Sequence, residues 1–350
     1  MRTGYQAARQ PDQRRWPFVG ATPLVAAALA LWLSSPAGVR SEPAPAETPR
    51  ALQESGDLQA LVIAYKGTLP DHDSHAFVEP EPGEAVRFLA ATTTALGGDL
   101  DDAASRFDTF GYDLVSFLDL GSSVWHLVLR ERTPCGRCWG LYVLSRSVTA
   151  RDVAVEAPHP LFDALAPEMA IDAYLRMDAR EFSMAGTHRY ANGPDSPVSD
   201  MARNPNSVFQ KMHEALTGPD TQVFQYHGFN LRNHPGYPNV VLSNGSPNPQ
   251  PELFLLKAAI EARGETVGIF DGRDWGELGA TINPQGRYTR SIGGRFFHME
   301  HEFAIRSDPA RRAAMVDAAL EALFSFSLDA PPATVGQRAV ACLACGRGPD

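Results

Sequence analysis

The stretch "VAVEAPHPLFDALAPEMAIDAYLRMDAREFSMAGTHR", Val153–Arg189, decides the fold. Its first residues alternate apolar and polar, the period of a strand with one buried face. Pro158 and Pro160 then stop strand pairing around His159, while Pro167 followed by Glu168 suits the first turn of a helix. "PEMAIDAYLRMD" continues with helical spacing, and "EFSMAGTH" returns to a strand. Strand, helix and strand in that order belong to an α/β layer structure.

The same grammar extends outward. Downstream, helices are expected at "NSVFQKMHEALT", "ELFLLKAAIEARG" and "PARRAAMVDAALEALFSF", and strands at "TQVFQYHG", "NVVLSNG", "TVGIFD" and "RFFHMEHEF". Upstream, strands are expected at "ALVIAYKG", "YDLVSFL", "VWHLVLRE" and "WGLYVLSR", with a helix near "GEAVRFLAATTTALGG". The expected fold is α/β: a mixed, largely parallel twisted sheet with helices on both faces.

The N-terminus is different in kind. Arg2, Arg9, Arg14 and Arg15 precede the apolar run "PLVAAALALWL", which is short for a membrane span, and "VRS" follows with small residues where a signal peptidase reads. Residues 1–41 read as a signal peptide, which implies a periplasmic or secreted protein touching membrane only if that segment stays uncleaved. Residues 42–54, rich in Pro, Ala and Glu, read as a flexible linker, 55–330 as the folded domain and 331–350 as an irregular Cys-containing tail. A chain of 350 residues with 44% hydrophobic residues buries a full core. A net charge of -10 without a basic run in the globular part excludes nucleic acid as the expected partner.

In an open α/β sheet, ligands bind beyond the carboxyl ends of the strands. His159 sits at such an end with Asp163 in the loop after it, His188 and Arg189 end "EFSMAGTHR", and His227 ends "TQVFQYHG". In "GGRFFHMEHEF" the strand period puts His298, Glu300 and Glu302 on one face and His301 on the other. Two histidines, a carboxylate ligand and a further carboxylate are the inventory of a catalytic zinc site: three ligands, an open position and a base.

The order of these elements resembles the zinc carboxypeptidase superfamily, with N-formylglutamate amidohydrolases and the succinylglutamate desuccinylase and aspartoacylase group as the nearer comparisons. The resemblance spans roughly residues 55 to 330 and implies Zn2+ held by His159, Asp163 and His227. It further implies Glu300 as the catalytic base, with Glu302 as its competitor, and His188 and Arg189 at the substrate, a small molecule or peptide bearing a carboxylate. The spacing departs from the family's H-x-x-E, since "HPLFD" is one residue longer and ends in Asp; Glu168 and Glu156 compete for the acidic ligand. The implied activity is amide hydrolysis by water activated at the metal. The alternative is a secreted α/β binding protein with structural histidines and no metal.

Lesser features read blandly. "DHDSH", Asp71–His75, is a solvated loop; Asn206 marks a helix cap; Ser243 belongs to a turn or to the pocket rim; Asp200 lies on the loop after "THR", close to the site. Cys135 with Cys138 and Cys342 with Cys345 are expected in disulfides, either within each pair or between tail and body.

Overall fold

The computed structural model describes residues 49–326. The stretch read as a signal peptide, the tail with Cys342 and Cys345, and most of the stretch read as a linker lie outside the described residues. Ten strands form one mixed sheet: β1 (Leu52–Gly56), β2 (Tyr112–Asp119), β3 (Val124–Glu131), β4 (Leu141–Ser145), β5 (Arg151–Ala157), β6 (Ala179–Met184), β7 (Gln222–Phe229), β8 (Val240–Ser243), β9 (Val267–Ile269) and β10 (Arg295–Glu302). Their order across the sheet is β1-β2-β3-β4-β6-β5-β7-β10-β8-β9. β6, β5, β7 and β10 run parallel at its centre, and antiparallel pairs flank them on both sides.

Alternation along these strands sorts two kinds of environment. Val153, Val155, Phe182, Phe224, Tyr226, Phe297 and Met299 point to one face. There they pack beneath α1 (Leu58–Lys66), α4 (Ala166–Arg176), α6 (Glu252–Glu261) and α9 (Pro309–Phe326). On the other face α2 (Glu84–Leu96), α3 (Leu100–Asp108) and α5 (Val208–Leu216) cover an apolar cluster over β2 to β4. Over the central strands that second face is polar yet buried: Glu156, Glu181, Gln225, His227, His298 and Glu300 all lie on it. It is closed by α5 and α7 (Pro284–Ser291). A short α8 (Phe303–Ser307) follows β10.

Two expectations need correction. "ALVIAYKG" is helical, not a strand: Asp57 caps α1 by accepting from Ala60 N, and Leu58, Val62 and Tyr65 bury one helical face. The fold also begins earlier than the linker reading, because β1 pairs in parallel with β2 from Leu52 onward. Of the two disulfide arrangements, the local one forms, Cys135 to Cys138.

Candidate metal centre

The centre lies where β5, β7 and β10 end together. β7 pairs with both neighbours, Gln225 standing beside Glu156 of β5 and His298 of β10, and His227 beside Glu300. His159 follows β5 by two residues, where Pro158 and Pro160 forbid further pairing. Asp163 N donates to His159 O at 3.0 Å, a turn that folds the Asp163 carboxylate back against the His159 ring. Leu165 then takes a left-handed conformation (φ 70°) as α4 begins.

Asp163 Oδ2 is the point of convergence. It lies 3.1 Å from His159 Nδ1 and 2.9 Å from His227 Nδ1, and all three residues are buried. The far ring nitrogens face acceptors: His159 Nε2 lies 2.8 Å from Asp200 Oδ1, and His227 Nε2 lies 2.8 Å from Gln225 Oε1. A neutral imidazole has one N–H and one lone pair. With both Nε2–H groups given to oxygen, both Nδ1 lone pairs turn toward a carboxylate oxygen, so three acceptors meet at one point. A cation resolves that arrangement, and the donor set, two imidazoles and a carboxylate, suits a metal ion. In the bare chain a proton answers the same demand. Burial and Arg189 push the His159 pKa down, but Asp200 and Asp163 outweigh them and raise it. Burial opposes ionisation of Asp163, yet His159 and His227 hold its pKa well below the usual carboxylate range.

His227, His298 and Glu300 form a second group able to hold a metal. His227 is common to both groups. His298 Nδ1 and Glu300 Oε2 are buried without hydrogen-bond partners among the described residues. Burial and the charge of Asp163 push the Glu300 pKa up to about 8, against the pull of His159 and Arg306. Both side chains line a cleft of about 320 Å³, together with His159, His227, Arg189, Arg203 and the segment 276–283.

The competing candidates for the acidic ligand and for the base are engaged elsewhere. Glu168 holds Lys66 Nζ at 2.6 Å, and Glu156 pairs with His213 Nδ1 at 2.7 Å. Glu302 caps α8 by accepting from Ala304 N, and His301 stacks on Tyr226 on the opposite sheet face. His188 accepts from Tyr190 N within its own loop, and Arg189 is ion-paired with Asp200. His72 and Asp73 form an exposed pair, as a solvated loop would. Ser243 accepts from Gly245 N and donates to Gly279 O, which makes it part of a turn. Sequence reasoning missed Gln225 and Asn283. The available signal was a glutamine two residues before His227, on the same strand face, in a strand otherwise buried.

Among the described residues no helix is long and apolar enough to cross a membrane. No family model and no curated protein matches the chain. A solved structure, the gene product Atu2144 from Agrobacterium tumefaciens, is similar at 13% identity over 52% of this chain and 93% of that one, with a TM-score of 0.36. A likeness that weak carries no argument.

Proposed function

We propose that this chain is an exported zinc-dependent hydrolase that cleaves an amide in a peptide or N-acyl amino acid, on a zinc-carboxypeptidase-like form of the α/β fold. The observation that carries the reading is the meeting of His159 Nδ1, His227 Nδ1 and Asp163 Oδ2 beside a cleft that Glu300 also lines. A binding protein has no use for a water-activating base buried next to three converging ligand atoms.

Zinc held by His159, Asp163 and His227 would polarise the substrate carbonyl and acidify the attacking water. Glu300, which lines the cleft, is placed to take a proton from the attacking water and to return it to the leaving amine. Asp200 and Gln225 hold the two imidazoles in the tautomer that leaves Nδ1 free. Arg203, exposed and lining the cleft, is the cation available for a substrate carboxylate. The basic residues before the apolar run "PLVAAALALWL" support the reading of export.

Elemental analysis of the purified chain tests this. About one zinc per chain is expected, as for a three-ligand catalytic site, lost in His159→Ala and in His227→Ala. Glu300→Gln should keep the metal and lose at least about 100-fold in hydrolysis of N-acyl amino acids or peptide termini. Protein that takes up no zinc, even after incubation with it, would overturn the hydrolase in favour of the binding protein.

A further inference from the structure

The two imidazoles are oriented by different kinds of partner. Asp200 offers His159 an oxygen whichever way its carboxylate turns. Gln225 does not, because its amide has an acceptor end and a donor end, and a flipped amide would present N–H groups to His227. Which end faces the histidine therefore decides which nitrogen of His227 carries the lone pair.

Backbone groups at both ends of a side-chain chain make that decision. On one side Gly286 N donates to Asn283 Oδ1 at 2.9 Å, the N-cap of α7. The Asn283 amide is thereby fixed, and its Nδ2 donates to Gln225 Oε1 at 2.6 Å. On the other side Gln285 Nε2 donates to Met201 O at 3.0 Å, which turns Gln285 Oε1 toward Gln225 Nε2 at 3.3 Å. Gln225 Nε2 also donates to Glu156 Oε2 at 2.9 Å. Every neighbour demands the same orientation: nitrogen toward Glu156 and Gln285, oxygen toward Asn283 and His227. The residues involved are buried.

We propose that Gln225, oriented by Asn283 at the N-cap of α7, is the positioning residue that sets the His227 tautomer and so makes the metal centre able to take its ion. The inference rests on the metal reading above. It extends the site beyond its ligands to the start of a helix that contributes none of them, and it gives the buried polar face of the sheet a task. Second partners of metal-bound histidines are commonly worth a factor of about 10–100 in metal affinity.

Zinc affinity, measured by competition with a chromophoric chelator, tests it alongside thermal unfolding. Gln225→Met removes the acceptor and should weaken zinc binding by about 10–100-fold. Gln225→Glu keeps an oxygen for His227 Nε2–H but places a second carboxylate against Glu156. It should therefore unfold more readily than wild type and yet bind zinc more tightly than Gln225→Met. A glutamine that only fills space predicts the reverse, with the buried extra charge the worse variant in both measurements. Asn283→Asp retains a capping oxygen for Gly286 N–H but offers Gln225 an acceptor in place of a donor, and should also weaken zinc binding. This variant carries the test alone if neither Gln225 variant folds. Unchanged affinity in Gln225→Met and Asn283→Asp, or Gln225→Glu binding more weakly than Gln225→Met, would overturn the inference while leaving the metal reading intact. A wild-type chain that takes no zinc would overturn both.

Discussion

Arg189 and Arg203 both line the cleft, but they differ in what already holds them. The Arg189 side chain is 18% exposed, pairs with Asp200 and lies over the rings of Phe162 (5.1 Å) and Tyr190 (5.2 Å). The Arg203 side chain is 53% exposed, and its Nε is 3.9 Å from Asp200, too far for a hydrogen bond. A guanidinium already matched to a carboxylate has less to offer another one, so under the proposed hydrolase reading Arg203 is the one to meet a substrate carboxylate. Arg203→Ala is expected to raise KM for carboxylate-bearing substrates by about 10-fold or more, a charge-assisted pair being worth roughly 1.5–3 kcal/mol. kcat should stay nearly constant. Steady-state kinetics checks this, and a fall in kcat with unchanged KM would assign Arg203 to the chemistry instead. At this scale the sequence showed the residue types with strong chemical preferences. His159 and His227 could be singled out because histidines at or just past strand ends stand out in a sheet built for a core, and Asp163 and Glu300 through the family resemblance. Gln225 and Asn283 could not, because an amide's importance lies in which way it points, and that is fixed by partners such as Met201 O, 84 residues from Gln285.

Elements were legible where their period was long enough to count. The crossover unit β5–α4–β6 emerged as read except that β6 stops at Met184, four residues short of His188, and β7 and β10 emerged with their alternating faces. "ALVIAYKG" misled because a short apolar run fits a buried strand and a buried helix equally well; the deciding signals were its boundaries, Asp57 as cap before it and Gly67 closing it. A glycine inside β7 was equally easy to pass over. Gly228 follows His227 directly, and the Arg306 side chain lies across it, so a Cβ there would overlap the guanidinium. Arg306 cannot simply withdraw. It is buried and donates to His301 O and Phe229 O at 2.9 Å each, and to Ala164 O. It thus ties β10 and β7 to the loop that carries Asp163. Gly228→Ala should destabilise the fold by about 2–3 kcal/mol through overpacking and displaced hydrogen bonds, seen as a lower urea midpoint. An unchanged midpoint would mean that Arg306 relocates freely.

For the whole molecule the unusual feature is a sheet whose centre is apolar on one face and buried but polar on the other. A fold that only needed stability would make both faces apolar, since buried charges lose more hydration than their pairing returns unless every partner is well placed. The polar face therefore carries a stability cost, which should be measurable at a residue on a strand that carries none of the candidate ligands. Glu181 on β6 is such a residue: Ser183 Oγ donates to its Oε1 at 2.8 Å, and its Oε2 has no partner among the described residues. Burial first, and then the charge of Glu156, push its pKa from 4.5 to about 7. Between those values the folded chain binds the proton that the unfolded chain has released, so the stability contributed at low pH is lost as pH rises from about 4.5 to about 7. The total is about 3 kcal/mol at 1.36 kcal/mol per pH unit. Glu181→Gln removes the proton uptake and keeps the shape. It should be more stable than wild type at pH 8 by up to about 3 kcal/mol, with most of that gain gone at pH 5. Urea unfolding of both chains at the two pH values measures the difference; a gain of the same size at both would mean that Glu181 does not titrate in this window and that the polar face is held without this strain.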